Sequence, residues 1–528
     1  MDILNNFLSK DLTDQMSILN EIECQSRKDA IPGLLNLYEN PGVDTVIDYM
    51  IEQTLMAVLV NCDKEVISGL KSSNTRTNRL AVQIAGQNRL ASAVKTIEEM
   101  AADETKSEIL MDVISALASI KAPGSLSVFR RHINNQQELV SALCIEMVAL
   151  YNDMESVDRL CGIVAEADLD PRPELCNLRV AKAIESLGVL KNEKAVVFLA
   201  SKIHHKDPTA RRLIQKTLVD IGPKIVQYLE TIFIQDNIDN KIMVANVLGM
   251  LGDKKGGDIL VTALDKGEAS HPNVRFAIYE ALGHIPFMKG IVCLMDGLMD
   301  KNDMVLMAVI SSLDINVNLG VIDRIRKIIN AGGEQGERLT KAIVASRALA
   351  IFNLLYNEEH MAALLVSAVS ESGDSEVISA FRERLESISN RARIDAERLL
   401  NLPPVISARR RILAVDDSKA MVLFYRSVGA GSNLDVTTAS NGKEALDILN
   451  KREVFDIIVT DMNMPEMDGI EFTKKTRLIP SLMATPIIMV TTESEKSQID
   501  LAKQVGVNAF VIKPFTPEIF IDRIKEYF

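Results

Sequence analysis

The chain of 528 residues contains no tryptophan, and aromatic residues make up only 4% of it. A groove that stacks bases needs such rings beside basic charge, and a formal net charge of −13 further opposes a phosphate backbone. Nucleic acid is therefore not an expected partner. The one strong basic run, "ARRR" at 408–411, reads as a solvated linker followed by a strand edge. Six cysteines (Cys24, Cys62, Cys144, Cys161, Cys176 and Cys293) show no CxxC spacing, so neither a zinc site nor a disulfide framework is signalled. They read as small core residues in a reducing compartment. Nowhere do about eighteen apolar residues run together, and the N-terminus "MDILNNFLSKDL" lacks the basic segment and apolar core of a signal peptide. A cytoplasmic protein without a membrane span is expected. None of the six histidines stands in an HExxH or comparable metal spacing, and His204 and His205, just before "KDP", read as exposed loop residues.

What the chain does contain is aliphatic: 47% hydrophobic and 25% charged, the balance of a soluble protein packed through helices. One helical pattern recurs, with apolar segments ending at Gly86, Ser119, Tyr151, Gly188, Gly222, Gly252, Gly283 and Asp314, so that successive ends lie 33, 32, 37, 34, 30, 31 and 31 residues apart. A pair of amphipathic helices leaves one flank uncovered, and stacking the next pair buries it. Small residues near the segment ends, as in "EALG" and "DIG", let neighbouring helices approach, and their glycines are expected to form left-handed C-terminal caps. "KDPTARR" (206–212) and "SHPNVRF" (270–276) place proline in a first helical turn, which needs no donor there. The array resembles HEAT-type repeats over roughly residues 28–330, with "HPNVRFAIYEALG" the closest unit. Arrays of this type serve as scaffolds or binding surfaces, so a protein partner is expected on it.

After "NAGGEQGE" (330–337) the period is lost. Between 375 and 400, Val377, Phe381, Leu385, Ile388, Ala392 and Leu399 approximate a heptad seam, readable as a connecting helix, a homodimer-forming helix or a cap on the last helical pair. "NLPPVISA" (401–408) ends it, because proline disfavours helix in the residue before it. The expected organisation is an array with its N-terminal cap at 1–330, a helical extension and linker at 331–407, and a separate domain at 408–528.

In that last segment "RILAV", "LDVTTA", "FDIIVT", "PIIMVT" and "AFVIK" read as five strands separated by helices. Continuous Val/Ile runs in such an alternation predict a parallel sheet covered on both faces, with ligands beyond the carboxyl ends of the strands. Those ends carry Asp416 and Asp417, then Asp461, then Thr491, then Lys513 followed by Pro514. Three carboxylates at one edge repel one another unless a hard divalent cation, magnesium in expectation, takes their oxygens. Lys513 as a point charge and Thr491 as a hydrogen-bond donor complete a pocket suited to a phosphoryl group.

With "DMNMPEMDG", "VTTES" and "AFVIKPF" in this order, residues 409–528 strongly resemble the receiver domain of two-component response regulators, close to stand-alone chemotaxis-type receivers. The resemblance implies a flavodoxin-like (βα)5 fold, so the fold class is an all-α solenoid of HEAT-like helix pairs followed by an α/β receiver with a five-stranded parallel sheet. It implies Asp461 as acceptor of a phosphoryl group from a sensor histidine kinase. Asp417 and Asp461 would ligate Mg2+ by their carboxylates, Asn463 by its main-chain carbonyl and Asp416 mainly through water. Thr491 and Phe510 would form the switch, Lys513 would pair with the phosphoryl charge, and the Lys513–Pro514 bond would be cis. Asn463 and Glu493 hold positions that tune hydrolysis in the family, and imply a short to moderate lifetime.

No helix-turn-helix, cyclase or phosphodiesterase signature accompanies the receiver, so its output is expected in the array. A phosphorylation-controlled scaffold, not an enzyme, is the preferred reading. A phosphate sink or relay whose array only docks a kinase, and a receiver-regulated enzymatic or nucleic-acid-binding array, are the alternatives.

Overall fold

The computed structural model describes residues 3–39, 44–169, 178–235, 237–372, 375–387, 390–400, 410–432, 434–451, 454–464, 466–491, 496–513 and 515–528. The chain divides into two compact units, Met1–Val164 with Leu178–Asn192, and Ala165–Asn177 with Glu193–Phe528. Among the described residues no helix is long and apolar enough to cross a membrane.

The first unit is a long helical array. Thr75–Gln87, Leu110–Ile120, Glu138–Leu150 and Leu178–Leu190 pack in series, each against the next, and shorter helices such as Val94–Ala102 and Leu126–His132 lean on them. The small residues of the repeat explain the close spacing: a Cβ on Gly86 would lie 2.8 Å from the Cα of Ala116 in the following helix.

In the second unit the same alternation continues through Pro208–Ile221, Ile238–Leu251, Pro272–His284, Asp303–Ile315, Gly333–Ala345 and Glu359–Glu371. Pro208 and Pro272 occupy first-turn positions as their sequence context predicts. The glycines divide into two kinds. Gly252 forms a left-handed cap (φ 64°), whereas Gly283 lies inside a helix that runs on to His284, and a Cβ there would overlap Ser312 of the next helix. The cap expected at Gly283 is thus a helix-contact glycine.

Two further expectations change. His205 is fully buried instead of exposed, because its ring nitrogen accepts from the Asp207 amide and its carbonyl accepts from Arg211, which folds the turn inward. The heptad stretch forms two helices, Ser375–Glu386 and Asn390–Leu400, packed on each other. Val377, Phe381, Leu385, Ala392 and Leu399 are buried within the chain itself, so these positions of the supposed seam are already covered.

The sheet follows: β1 (Arg410–Val415), β2 (Leu434–Ala439), β3 (Ile457–Asp461), β4 (Ile487–Thr491) and β5 (Ala509–Ile512), in spatial order β2-β1-β3-β4-β5. Every pairing is parallel. β3 and β4 are buried along their whole length, as strands covered on both faces must be. Helices cover the sheet through clusters that include Leu413, Val415, Ile458 and Phe472 in one, and Met462, Ile470, Met489 and Ala502 in the other. A parallel sheet brings all carboxyl ends to one edge, and the chain reverses its winding between β1 and β3, the place where α/β sheets open a crevice.

Candidate functional site

Two of the three predicted carboxylates meet at that crevice. Asp416 follows β1 and is 1% exposed; Asp461 ends β3 and is 7% exposed. Their mutual repulsion is relieved by Lys513 from the end of β5, whose Nζ lies 2.7 Å from Asp461 Oδ1 and 3.0 Å from Asp416 Oδ2. Asp416 also accepts from the Ser418 amide (3.0 Å) and the Tyr425 hydroxyl (3.2 Å), and Asp461 Oδ2 accepts from the Asn463 amide at 2.7 Å.

Burial pushes the Asp461 carboxyl up; Lys513 opposes this, Asp416 adds to it, and the result is about 6. For Lys513, burial favours the neutral amine, but Asp416 and Asp461 outweigh it and hold the ammonium charged. Asp417 keeps a solvent-facing surface, although protein crowds it on other sides. Burial, then Asp416, Asp461 and Glu280, raise its carboxyl well above the ordinary range.

Thr491, 1% exposed at the end of β4, directs its hydroxyl toward Met462 Sδ at 3.9 Å. Phe510 of β5 is half-buried against Met462, Ile470, Met489, Ala502 and Val507. The loop after Asp461 closes back on itself, with the Gly469 amide donating to the Met462 carbonyl at 2.9 Å. A Cβ on Gly469 would overlap the Asp461 carbonyl oxygen, which is why "MDG" ends in glycine. Pro514, with its expected cis bond, and Glu493 lie outside the described residues.

The donor set suits a hard divalent cation: carboxylate oxygens without nitrogen or sulfur, crowded enough that Asp417 and Asp461 hold protons more tightly than free carboxylates do. Among the described residues, no three His, Cys, Asp or Glu side chains converge as a ready coordination cluster. The fit is therefore one of chemistry and charge. As placed, Lys513 supplies the positive charge between Asp416 and Asp461.

Among the described residues, several that sequence reading did not connect with this site approach it from the array. Arg211 Nη2 donates to Asn463 Oδ1 at 2.6 Å. Arg212 faces Asp468 (3.6 Å) and Glu471 (3.4 Å). Asn273 donates to the Lys513 carbonyl, and Ser418 donates to Glu280 Oε1 at 2.7 Å. The repeat pattern marks these only as helix-face positions. A sequence signal was the charged pair Arg211–Arg212 near the N-terminus of a helix, an end that favours acidic side chains.

Residues 412–525 match the family model described as response regulator receiver domain. The Chemotaxis protein CheY homolog of Campylobacter jejuni is 39% identical over 117 residues, covering 22% of this chain and 90% of that protein. The solved chemotaxis protein CheY4 of Vibrio cholerae is 36% identical and covers 23% of this chain and 100% of that one, with a TM-score of 0.22. The receiver domain of sensor histidine kinase PA1611 from Pseudomonas aeruginosa, 23% identical, with a TM-score of 0.22 and covering 23% of this chain and 98% of that one, was solved with magnesium in its active-site cleft.

Proposed function

Since this chain belongs to the response-regulator receiver family through residues 412–525, we propose that it is a phosphorylation-controlled signalling protein in which Asp461 accepts a phosphoryl group from a sensor histidine kinase and the helical array presents the output to a protein partner. Receiver domains are phosphoacceptor modules served by such kinases. The observation that carries the assignment of Asp461 is the bridge from Lys513 Nζ to both Asp461 and Asp416.

In the step itself, Asp461 Oδ forms the new bond to phosphorus as the P–N bond to the donor's imidazole breaks, and the imidazole leaves with its electron pair. Lys513, already beside Asp461, neutralises charge on the transferred group. Thr491 offers its hydroxyl to a phosphoryl oxygen, and Phe510 follows by changing rotamer. A magnesium ion held by the Asp417 and Asp461 carboxylates, the Asn463 main-chain carbonyl and Asp416, mainly through water, would supply charge neutralisation to the donor and acceptor oxygens.

In this reading, a HEAT-like array at 1–330 and a helical extension and linker at 331–407 carry the output of the receiver at 408–528, in the cytoplasm. The contacts from Arg211 and Glu280 to the receiver loops support an array that senses the receiver, in preference to one that only docks a kinase. The test is phosphoryl labelling of wild type and Asp461→Asn by acetyl phosphate and by candidate kinases, followed by pull-down in both states. Labelling retained by the Asn variant removes the assignment, and identical pull-downs in the two states remove the output role.

A further inference from the structure

The array residues that meet the receiver do so on the loops framing Asp461. From Pro208–Ile221, Arg211 bonds Asn463, two residues after the acceptor, and Thr209 reaches Asp468 at 3.2 Å, where that loop enters its helix. From Pro272–His284, Asn273 holds the Lys513 carbonyl, and Glu280 accepts from Ser418, the residue after Asp416 and Asp417. The loops after β1, β3 and β5 are thus all gripped from two helices, inside one compact unit.

We propose that this face of the array is a built-in cap on the phosphoacceptor pocket: seated, it slows phosphoryl transfer to Asp461, and a phosphoryl group on Asp461 unseats it. The inference rests on Asp461 being the acceptor. Three features set its direction. Asp461 is only 7% exposed while the loops are gripped, and a donor must reach its carboxylate from beyond the strand ends. Glu280 Oε1 lies 2.7 Å from the hydroxyl of Ser418, the residue after Asp417, so negative charge added on Asp461 is placed near a further carboxyl in the seated arrangement. Lys513 is held by the array through its carbonyl while its ammonium serves Asp461, so any shift of Lys513 toward a phosphoryl group bears directly on the Asn273 contact.

The grip is also built to release. Its contacts on the three loops are hydrogen bonds between polar groups, and polar contacts within a chain resemble those of transient interfaces. Where Asp303–Ile315 packs on the receiver helix Lys419–Gly431, a cavity of about 430 Å³ remains, lined by Met307, Arg338, Lys341, Phe424, Val428 and Pro517 among others. That margin is less closely packed than a domain interior.

The experiment uses the full chain as wild type, Glu280→Ala and Asn273→Ala, each checked for folding by circular dichroism. Labelling by acetyl phosphate is timed, and hydrogen exchange of 208–221 and 272–284 is followed with and without beryllofluoride and magnesium. The cap predicts labelling about fivefold faster or more in the variants, the lower end of typical coupling between sites, and faster exchange of both helices in wild type with beryllofluoride. Equal or slower labelling in folded variants overturns it, as does exchange unchanged by beryllofluoride; the latter stands even if a variant does not fold. No labelling of Asp461 in any form would instead remove the acceptor assignment itself.

Discussion

Arg211 Nη2 and Asn463 Oδ1 lie 2.6 Å apart although 252 positions separate them in the chain. Arg211 is 1% exposed, and its Nη1 also reaches the His205 carbonyl at 3.1 Å. One guanidinium therefore closes the turn that buries His205 and holds the loop following Asp461. Arg211→Ala removes both bonds and leaves two acceptors to find new partners. The expected loss is about 3 kcal/mol in chemical denaturation, on the scale of two hydrogen bonds from a charged donor. Hydrogen exchange of residues 462–470 should speed up as well; protection there unchanged would show that the loop is held by the receiver alone.

Two helical glycines, one at a helix contact and one in open space, predict opposite signs. At Gly283 an added methyl would overlap Ser312, so Gly283→Ala must push neighbouring helices apart and is expected to destabilise by about 2 kcal/mol, as overpacking does. Gly162, inside Val157–Leu169, has nothing within 4 Å of an added Cβ. Gly162→Ala should stabilise by roughly 0.5–1 kcal/mol through helix propensity alone. Thermal denaturation of the two variants tests the pair, and a common sign would show that the close approach at Gly283 does not control stacking.

Lys513→Met tests the bridge between the acidic strand ends. The lysine side chain is 11% exposed, and those of Asp416 and Asp461 are 1% and 11% exposed. Taking away the shared cation leaves two buried carboxylates facing each other. A loss of about 3–5 kcal/mol is expected at neutral pH, the usual effect of breaking a buried pair. The deficit should shrink as pH falls, because protonating Asp461, whose carboxyl burial already pushes up, removes the repulsion. A deficit independent of pH would mean that packing of the lysine stem, not charge, holds the site.

Much of this was legible in the sequence because it depends on local pattern. Val/Ile runs each ending in Asp461, Thr491 or Lys513 specify buried parallel strands, and parallel strands bring their ends together without further information. The helix period of 30 to 37 residues likewise announces stacking, since small residues such as Gly86 and Gly249 recur where helices touch. What escaped is long-range. Glu280 sits in "YEALG", which reads as an ordinary repeat unit, and only the fold brings it to Ser418, 138 positions on. The heptad spacing of 375–400 left a connecting helix, a homodimer helix and a cap open, because two short helices packed on each other bury much the same positions as one long seam would.

The pH behaviour of Asp461 follows from its burial. Its carboxyl is pushed up to about 6 in the folded protein, whereas an unfolded aspartate titrates near 3.9. Between those values the native state binds more protons than the unfolded state, so unfolding free energy falls as pH rises through this window. The stability that protonated Asp461 contributes is complete below about pH 4 and gone above about pH 6, amounting to about 2 to 3 kcal/mol at 1.36 kcal/mol per unit. Asp461→Asn places a permanently neutral group there, so it should be more stable than wild type at pH 7 and lose that advantage toward pH 4. In the proposed transfer the attacking group is the ionised carboxylate of Asp461, so labelling of wild type by acetyl phosphate should instead rise with pH through about 6. Denaturation curves and labelling rates across pH 4 to 8 measure both. If stability and labelling rose together with pH, the carboxylate would be stabilised by its surroundings and not strained by them, and the burial of Asp461 beside Asp416 would not be what sets its reactivity.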